Sequence, residues 1–134
     1  MNQLQGGVAV ITGAASGFGL EACRIAAARG MKIVMADVQQ QALEAAAAEL
    51  EGRVADLLAV QVDVAKAAEV EQLGEQTMKH YGAPNFVFNN AGVGAGGLIW
   101  EHTLHDWEWV VGVNLMGVAH GVRVFTPLML AAAK

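Results

Sequence analysis

The chain is poor in the residues whose chemistry most narrows a function. Cys23 is the only cysteine in 134 residues. A lone thiol excludes an intramolecular disulfide and a cysteine-based metal centre. Its position inside an expected helix makes it a small buried apolar side chain. Two prolines, Pro84 and Pro127, leave no proline-rich linker. Eight Lys and Arg stand against thirteen Asp and Glu, for a net charge of −5. The basic residues are scattered, which argues against a nucleic-acid footprint. The first residues, Met1-Asn2-Gln3-Leu4-Gln5, have neither a basic n-region nor an apolar stretch, so no secretory leader is expected. The longest apolar stretch, Val110 to Ala133, is broken by Asn114, His120 and Arg123. A membrane span of about 20 residues should not carry such breaks, and a cytoplasmic chain off the membrane is the expectation. His80, His102, His105 and His120 show no metal-ligand spacing, and surface or capping roles are expected for them.

What is abundant is apolar and small. Hydrophobic residues make up 54% and glycines number 16, a composition suited to close helix–sheet packing. Strand and helix patterns alternate. Val8–Thr12 is a continuous apolar run, the mark of a strand covered on both faces. A helix follows from Ser16 to Arg29, with Gly30 as its left-handed cap. Lys32–Ala36 is a second strand ending at Asp37. Gln39–Glu51, rich in Ala and Glu, is a second helix closed by Gly52. Leu57–Val62 is a third strand ending at Asp63-Val64. Ala67–Tyr81 is a third helix with Gly82 after it, and Asn85–Asn89 a short fourth strand. A glycine-rich loop over Gly92–Gly97 leads to one long helix from Leu104 to the end of the chain. Thr103 is its N-cap, with Asp106 three residues on, and Pro127 is placed to kink it. Trp107, Val110, Val111, Asn114, Leu115 and Val118 recur at helical spacing, as a core or interface stripe. Strands separated by helices predict a three-layer α/β domain over residues 1–134, a Rossmann-like parallel sheet in the order 3-2-1-4.

The densest signal is Thr12-Gly13-Ala14-Ala15-Ser16-Gly17-Phe18-Gly19, directly between the first strand and its helix. Gly13 permits the turn out of the strand, Gly17 lets backbone approach a pyrophosphate, and Gly19 lets helix and strand pack closely. The helix N-terminus offers unpaired N–H groups and a partial positive charge to phosphates. Asp37 ends the next strand, 18 residues after Gly19. A carboxylate there accepts from ribose hydroxyls and repels a 2′-phosphate, unless it is simply a solvated strand end. No Lys or Arg lies between Thr12 and Glu21, so the reading is NAD(H) rather than NADP(H). Asn89-Asn90-Ala91-Gly92 closes the fourth strand and suits a sharp exit turn.

The Gly13-x3-Gly17-x-Gly19 spacing with Thr12 before it, joined to Asn89-Asn90-Ala91-Gly92, resembles the short-chain dehydrogenase/reductase family. The resemblance implies a cofactor cradle of Gly13, Ser16, Gly17, Phe18, Gly19, Asp37 and Val38. It implies that Asp63 accepts from the adenine amino group with the Val64 backbone beside it, a loop-capping Asp being the alternative. It makes Asn90, Ala91 and Gly92 line the cofactor near the nicotinamide ribose. It gives Asn114 the surroundings of the family's catalytic Asn, here expected as a vestige. It also implies a homodimer, through the long helix packed against its twin or through the fourth strand, left as a sheet edge.

The resemblance covers the N-terminal half of a family member. The 134 residues contain no Tyr-x-x-x-Lys, and the only tyrosine, Tyr81, does not begin one. Carbonyl reduction needs a positioned proton donor, worth about 10²–10⁴-fold. Quinones, dyes and flavins need none. The expectation is therefore an NADH-dependent, diaphorase-like oxidoreductase passing hydride or electrons to a small redox acceptor. The alternatives are an inert NAD(H)-binding fragment, a subunit completing a site on another chain, and an ordinary ketone dehydrogenase.

Overall fold

A computed structural model describes residues 4–54 and 56–133. Four strands, β1 (Val8–Thr12), β2 (Lys32–Asp37), β3 (Leu57–Gln61) and β4 (Phe86–Phe88), form one sheet in the order β3-β2-β1-β4. Every pairing is parallel. The strand order and the three-layer α/β arrangement are those the sequence predicts. β1 is central, and all five of its residues are buried. In register, Ile11 lies between Met35 of β2 and Phe88 of β4. The strand exits therefore end level, and the loops after them gather at one edge.

The helices are α1 (Gly17–Ala28), α2 (Gln40–Leu50), α3 (Ala67–Tyr81), α4 (Leu104–Val111) and α5 (Gly117–Ala132). Alternation along β1 and β2 divides the core in two. Ala9, Ile11, Ile33 and Met35 meet Cys23 and Ala26 of α1 and Leu43, Ala46 and Leu50 of α2. Val8, Val10, Val34 and Ala36 meet Val70 and Leu73 of α3 and Phe125 of α5. Phe125 is among the largest fully buried side chains, and truncating such a residue costs about 3–5 kcal/mol. Helices α3 and α5 approach closely because position 74 has no side chain. A Cβ on Gly74 would lie 2.6 Å from Val124 Cγ1.

Several expectations are corrected. The third and fourth strands stop short of Val62 and of Asn85 and Asn89. A 3-10 turn, Ile99–Glu101, precedes the long helix. The long helix is not uniform: a π turn, Gly112–Met116, separates α4 from α5. Pro127 lies within α5. Of the two readings of the apolar stripe, core or interface, the exposure of Trp107, Val111, Leu115 and Val118 removes the core one. Val113, Gly117, His120, Gly121 and Phe125 face the sheet instead. His120 is therefore buried, not a surface histidine. Leu104–Ala132 is long and apolar enough, by length and composition, to cross a membrane, against the reading drawn from its polar breaks. Its inward face is nevertheless committed to the sheet.

The N-terminus of α4 carries the expected capping box. Thr103 Oγ1 accepts from the Asp106 N–H at 3.1 Å, and the Asp106 carboxylate accepts from the Thr103 N–H at 3.0 Å. Those bonds hold the Asp106 carboxyl below its ordinary pKa, backbone hydrogen bonding to Thr103 being the main cause.

Cys23 is wholly buried, and burial pushes its thiol up to about 12, against a smaller lowering by Arg24. The folded state therefore holds this proton above the pH at which the unfolded thiol has lost it. Stability is unaffected below about pH 9 and falls as pH rises from there towards about 12. A thiol-reactive chromogenic disulfide should label Cys23 only at the rate of unfolding, with no fast phase in the native protein.

Candidate functional site

The β1–α1 loop is shaped by contacts that tolerate no side chain. Gly13 has φ +62°, and a Cβ there would lie 2.9 Å from both Ala91 Cα and Asn90 Nδ2. At Gly19 a Cβ would collide with the Gly13 carbonyl. The first turn of α1 is thus pressed against the end of β1. Gly17, with φ +54°, has open space where its side chain would be. Ser16 is the N-cap, yet its side chain caps nothing, and the first turn holds no acidic residue. The leading N–H groups of α1 are therefore left for an outside acceptor, at the positive end of the helix dipole.

Thr12 ties this loop to the second motif. Its Oγ1 accepts from the Asn90 N–H at 3.0 Å and the Ala91 N–H at 3.1 Å, and donates to the Phe88 carbonyl at 3.4 Å. The Asn90 side-chain amide returns the bond, donating to the Thr12 and Gly13 carbonyls at 3.2 and 3.3 Å. The sequence signals Thr12 only as part of a spacing; its role as the junction of two loops needs three dimensions.

Asp37 shapes the same loop from the other side. One carboxylate oxygen accepts from the Ala15 N–H and the other from the Gln39 N–H, each at 3.0 Å. It is more than a solvated strand end. Asp63 caps its own turn, accepting from the Ala65 N–H at 3.0 Å. Glu69, from the first turn of α3, accepts from the Asp63 N–H at 2.9 Å. The Val64 N–H makes no hydrogen bond among the described residues. Glu69 was not foreseen; its position six residues past Asp63 was the available signal.

Asn114 lies in the π turn. Its Oδ1 accepts from the Val93 N–H and its Nδ2 donates to the Val93 carbonyl, both at 2.8 Å. The side chain is a two-point clamp on the backbone just after Gly92. The clamp engages one donor hydrogen and one acceptor lone pair of the amide.

These elements enclose one cleft of about 430 Å³. Of the sequence-predicted residues, Gly13, Ser16, Gly17, Phe18, Asp37, Val38, Asp63, Val64, Asn90, Ala91 and Gly92 line it. Gly19 supports the cleft from behind, and Asn114 supports it through Val93. Val93, Trp109 and Val113 line it unforeseen, because the placement of α4 over the cleft depends on the π turn. Phe18 and Val38 are exposed apolar side chains at its lip. No cluster of three metal-ligating side chains occurs among the described residues.

A parallel sheet whose first strand turns through glycines into a helix N-terminus, with an acidic residue closing the second strand, defines a Rossmann-type NAD(P)-binding fold. The family model described as short chain dehydrogenase matches residues 7–134. The chain belongs to the short-chain dehydrogenase/reductase family. It is 37% identical over 130 residues to the CLA biosynthesis dehydrogenase/reductase of Lactiplantibacillus plantarum, covering 97% of this chain and 46% of that one. A short chain dehydrogenase/reductase from Burkholderia phymatum, solved in complex with NAD, superposes with a TM-score of 0.96 at 48% identity, over 100% of this chain and 48% of that one. L-sorbose reductase from Gluconobacter frateurii, complexed with NADPH and L-sorbose, superposes with a TM-score of 0.89 at 32% identity, over 96% and 49%. The chain spans about half the length of the curated relatives it matches.

Replacing Thr12 by Val keeps its shape and leaves the Ala91 N–H unpaired, while the Asn90 N–H keeps its bond to the Phe88 carbonyl at 2.9 Å, at a cost of about 1–3 kcal/mol. Thr12→Ser keeps the hydroxyl. Chemical denaturation should show a lower midpoint for the valine variant and a near-native midpoint for the serine variant.

Proposed function

We propose that this chain holds NAD(H) in the cleft, as the cofactor-binding half of a short-chain dehydrogenase/reductase oxidoreductase. The observation that carries the reading is the uncapped, unacidic N-terminus of α1 beside Asp37. Four features divide the work. The leading N–H groups of α1 bind the pyrophosphate. Asp37 accepts from the adenosine ribose and disfavours a 2′-phosphate. Asp63 and the Val64 N–H meet the adenine edge. Asn90, Ala91 and Gly92, steadied by Thr12 and Asn114, line the nicotinamide end.

When bound, NADH supplies a hydride. Within the 134 residues nothing corresponds to the Tyr-x-x-x-Lys that would place a proton on a developing alkoxide, and the Asn114 side chain clamps the Val93 backbone. Assayed as the 134-residue polypeptide, the protein is accordingly a diaphorase-like oxidoreductase, reducing acceptors that form stabilised anions. The exposed stripe of Trp107, Val111, Leu115, Val118 and Val122 along α4 and α5 supports a homodimer through this helix.

Two measurements test the reading. Titration of the protein with NADH and NADPH, followed by fluorescence, should favour NADH; Asp37→Ser should narrow that preference by about tenfold, the size of one charge interaction of about 1.4 kcal/mol. NADH consumption should proceed with a quinone or tetrazolium dye and not with a panel of ketones. NADH binding with silence on both acceptors would leave an inert cofactor binder, and ketone turnover would refute the diaphorase assignment.

A further inference from the structure

Two ionisable side chains are buried among the described residues, Cys23 and His120. Cys23 sits among apolar groups. His120 does not: its Nδ1 lies 2.9 Å from the Val64 carbonyl oxygen, 56 positions away in sequence. A carbonyl oxygen only accepts, so Nδ1 carries the hydrogen.

The Val64 carbonyl and the Ala65 N–H belong to one peptide unit, which is planar. His120 holds the carbonyl end, and Asp63 Oδ1 holds the N–H end at 3.0 Å. The peptide is thus a rigid plate gripped between α5 and the Asp63 carboxylate. Helix α5 lies directly on it. A Cβ on Gly117, one turn before His120, would come 2.6 Å from Val64 Cγ2. With Oδ1 committed to Ala65, the polar groups that Asp63 and Val64 have left are the second Asp63 oxygen and the unpaired Val64 N–H. Both residues line the cleft. An acceptor beside a donor complements the edge of adenine, whose 6-amino group donates and whose N1 accepts. Hypoxanthine presents the reverse order, a 6-oxo acceptor beside an N1–H donor.

We propose that His120 is a positioning residue for purine selectivity: through the Val64–Ala65 peptide it orients the Asp63 carboxylate, so that the cleft takes a 6-amino purine and rejects a 6-oxo purine. This rests on the reading of the cleft as an NAD(H) site. No contact between His120 and the cofactor is involved, and among the described residues no other side chain donates to the Val64 carbonyl.

Two substitutions at position 120 separate hydrogen bonding from packing. His120→Asn keeps a nitrogen donor on the γ-carbon, where the imidazole has Nδ1. His120→Leu puts a methyl group there. Wild type and both variants are titrated with NADH and with its hypoxanthine analogue, reduced nicotinamide hypoxanthine dinucleotide, and their thermal midpoints are recorded separately. Wild type should favour NADH by on the order of 10²-fold, because the analogue leaves a donor and an acceptor mismatched. His120→Leu should narrow that ratio about tenfold, mainly by weakening NADH, while His120→Asn stays within about threefold of wild type. Should the leucine variant fail to fold, His120→Met removes the same donor with a more adaptable side chain. A leucine or methionine variant that binds both dinucleotides more weakly at an unchanged ratio would overturn the proposal, leaving His120 a packing residue. Wild type that binds NADH without discriminating between the two purines would overturn it as well. Wild type that binds neither would refute the cofactor reading itself, and the proposal with it.

Discussion

The contact on which the rest depends is the meeting of Gly13 with Gly19 and Asn90. A strand of the sheet and the helix that follows it can touch backbone to backbone only where neither carries a Cβ. That contact aims the α1 N-terminus across the ends of the strands. Thr12 then couples the position of α1 to the exit of β4, because one hydroxyl satisfies two N–H groups of the neighbouring loop. Asp37 couples it to the exit of β2 through Ala15. Each loop of the cleft is thus held by a side chain belonging to another strand's exit or to a helix behind it. Preorganisation of this kind keeps donors aimed without a ligand to order them.

Polar satisfaction at the cleft follows a consistent division. Side chains take up the backbone groups that would otherwise wander: Asn114 on Val93, Glu69 on the Asp63 N–H, His120 on the Val64 carbonyl. What is left over is complementary to a ligand carrying phosphates and hydroxyls. None of the described buried side-chain polar atoms lacks a partner, so this division carries no hidden desolvation cost.

The fold was legible in the sequence because its signals are local. β1 reads as a strand from five consecutive apolar residues, and α3 reads with its final bounds from helical spacing closed by Gly82. The phosphate loop reads from glycine spacing because Gly13 and Gly17 take positive φ and Gly19 meets the Gly13 carbonyl six residues back. The unread parts are long-range. Thr12 to Asn90 spans 78 positions and His120 to Val64 spans 56, and no spacing rule connects them. Histidine composition alone suggests a surface, since an isolated ring nitrogen is usually solvated; only the fold supplies a buried carbonyl for it. The helix stripe reads only as far as core or interface for a related reason. A uniform α-helix projects Trp107 and Leu115 onto one face with the core, and nothing in residues 112–116 announces that the helix changes pitch there.

That change of pitch has a structural arithmetic. A π turn contains one residue more than an α turn over nearly the same rise, so it advances the chain without advancing the helix. It acts as a phase shifter between two rods. Downstream, α5 keeps Phe125 and His120 locked towards the sheet; upstream, α4 is rotated by about a hundred degrees relative to where an unbroken helix would carry it. Trp109, upstream of the turn, lines the cleft. The wall of the cleft and the packing of the core are thereby uncoupled in sequence space. Residues before the turn are free to vary with the ligand, and those after it with the sheet, with neither set dictating the other's periodicity.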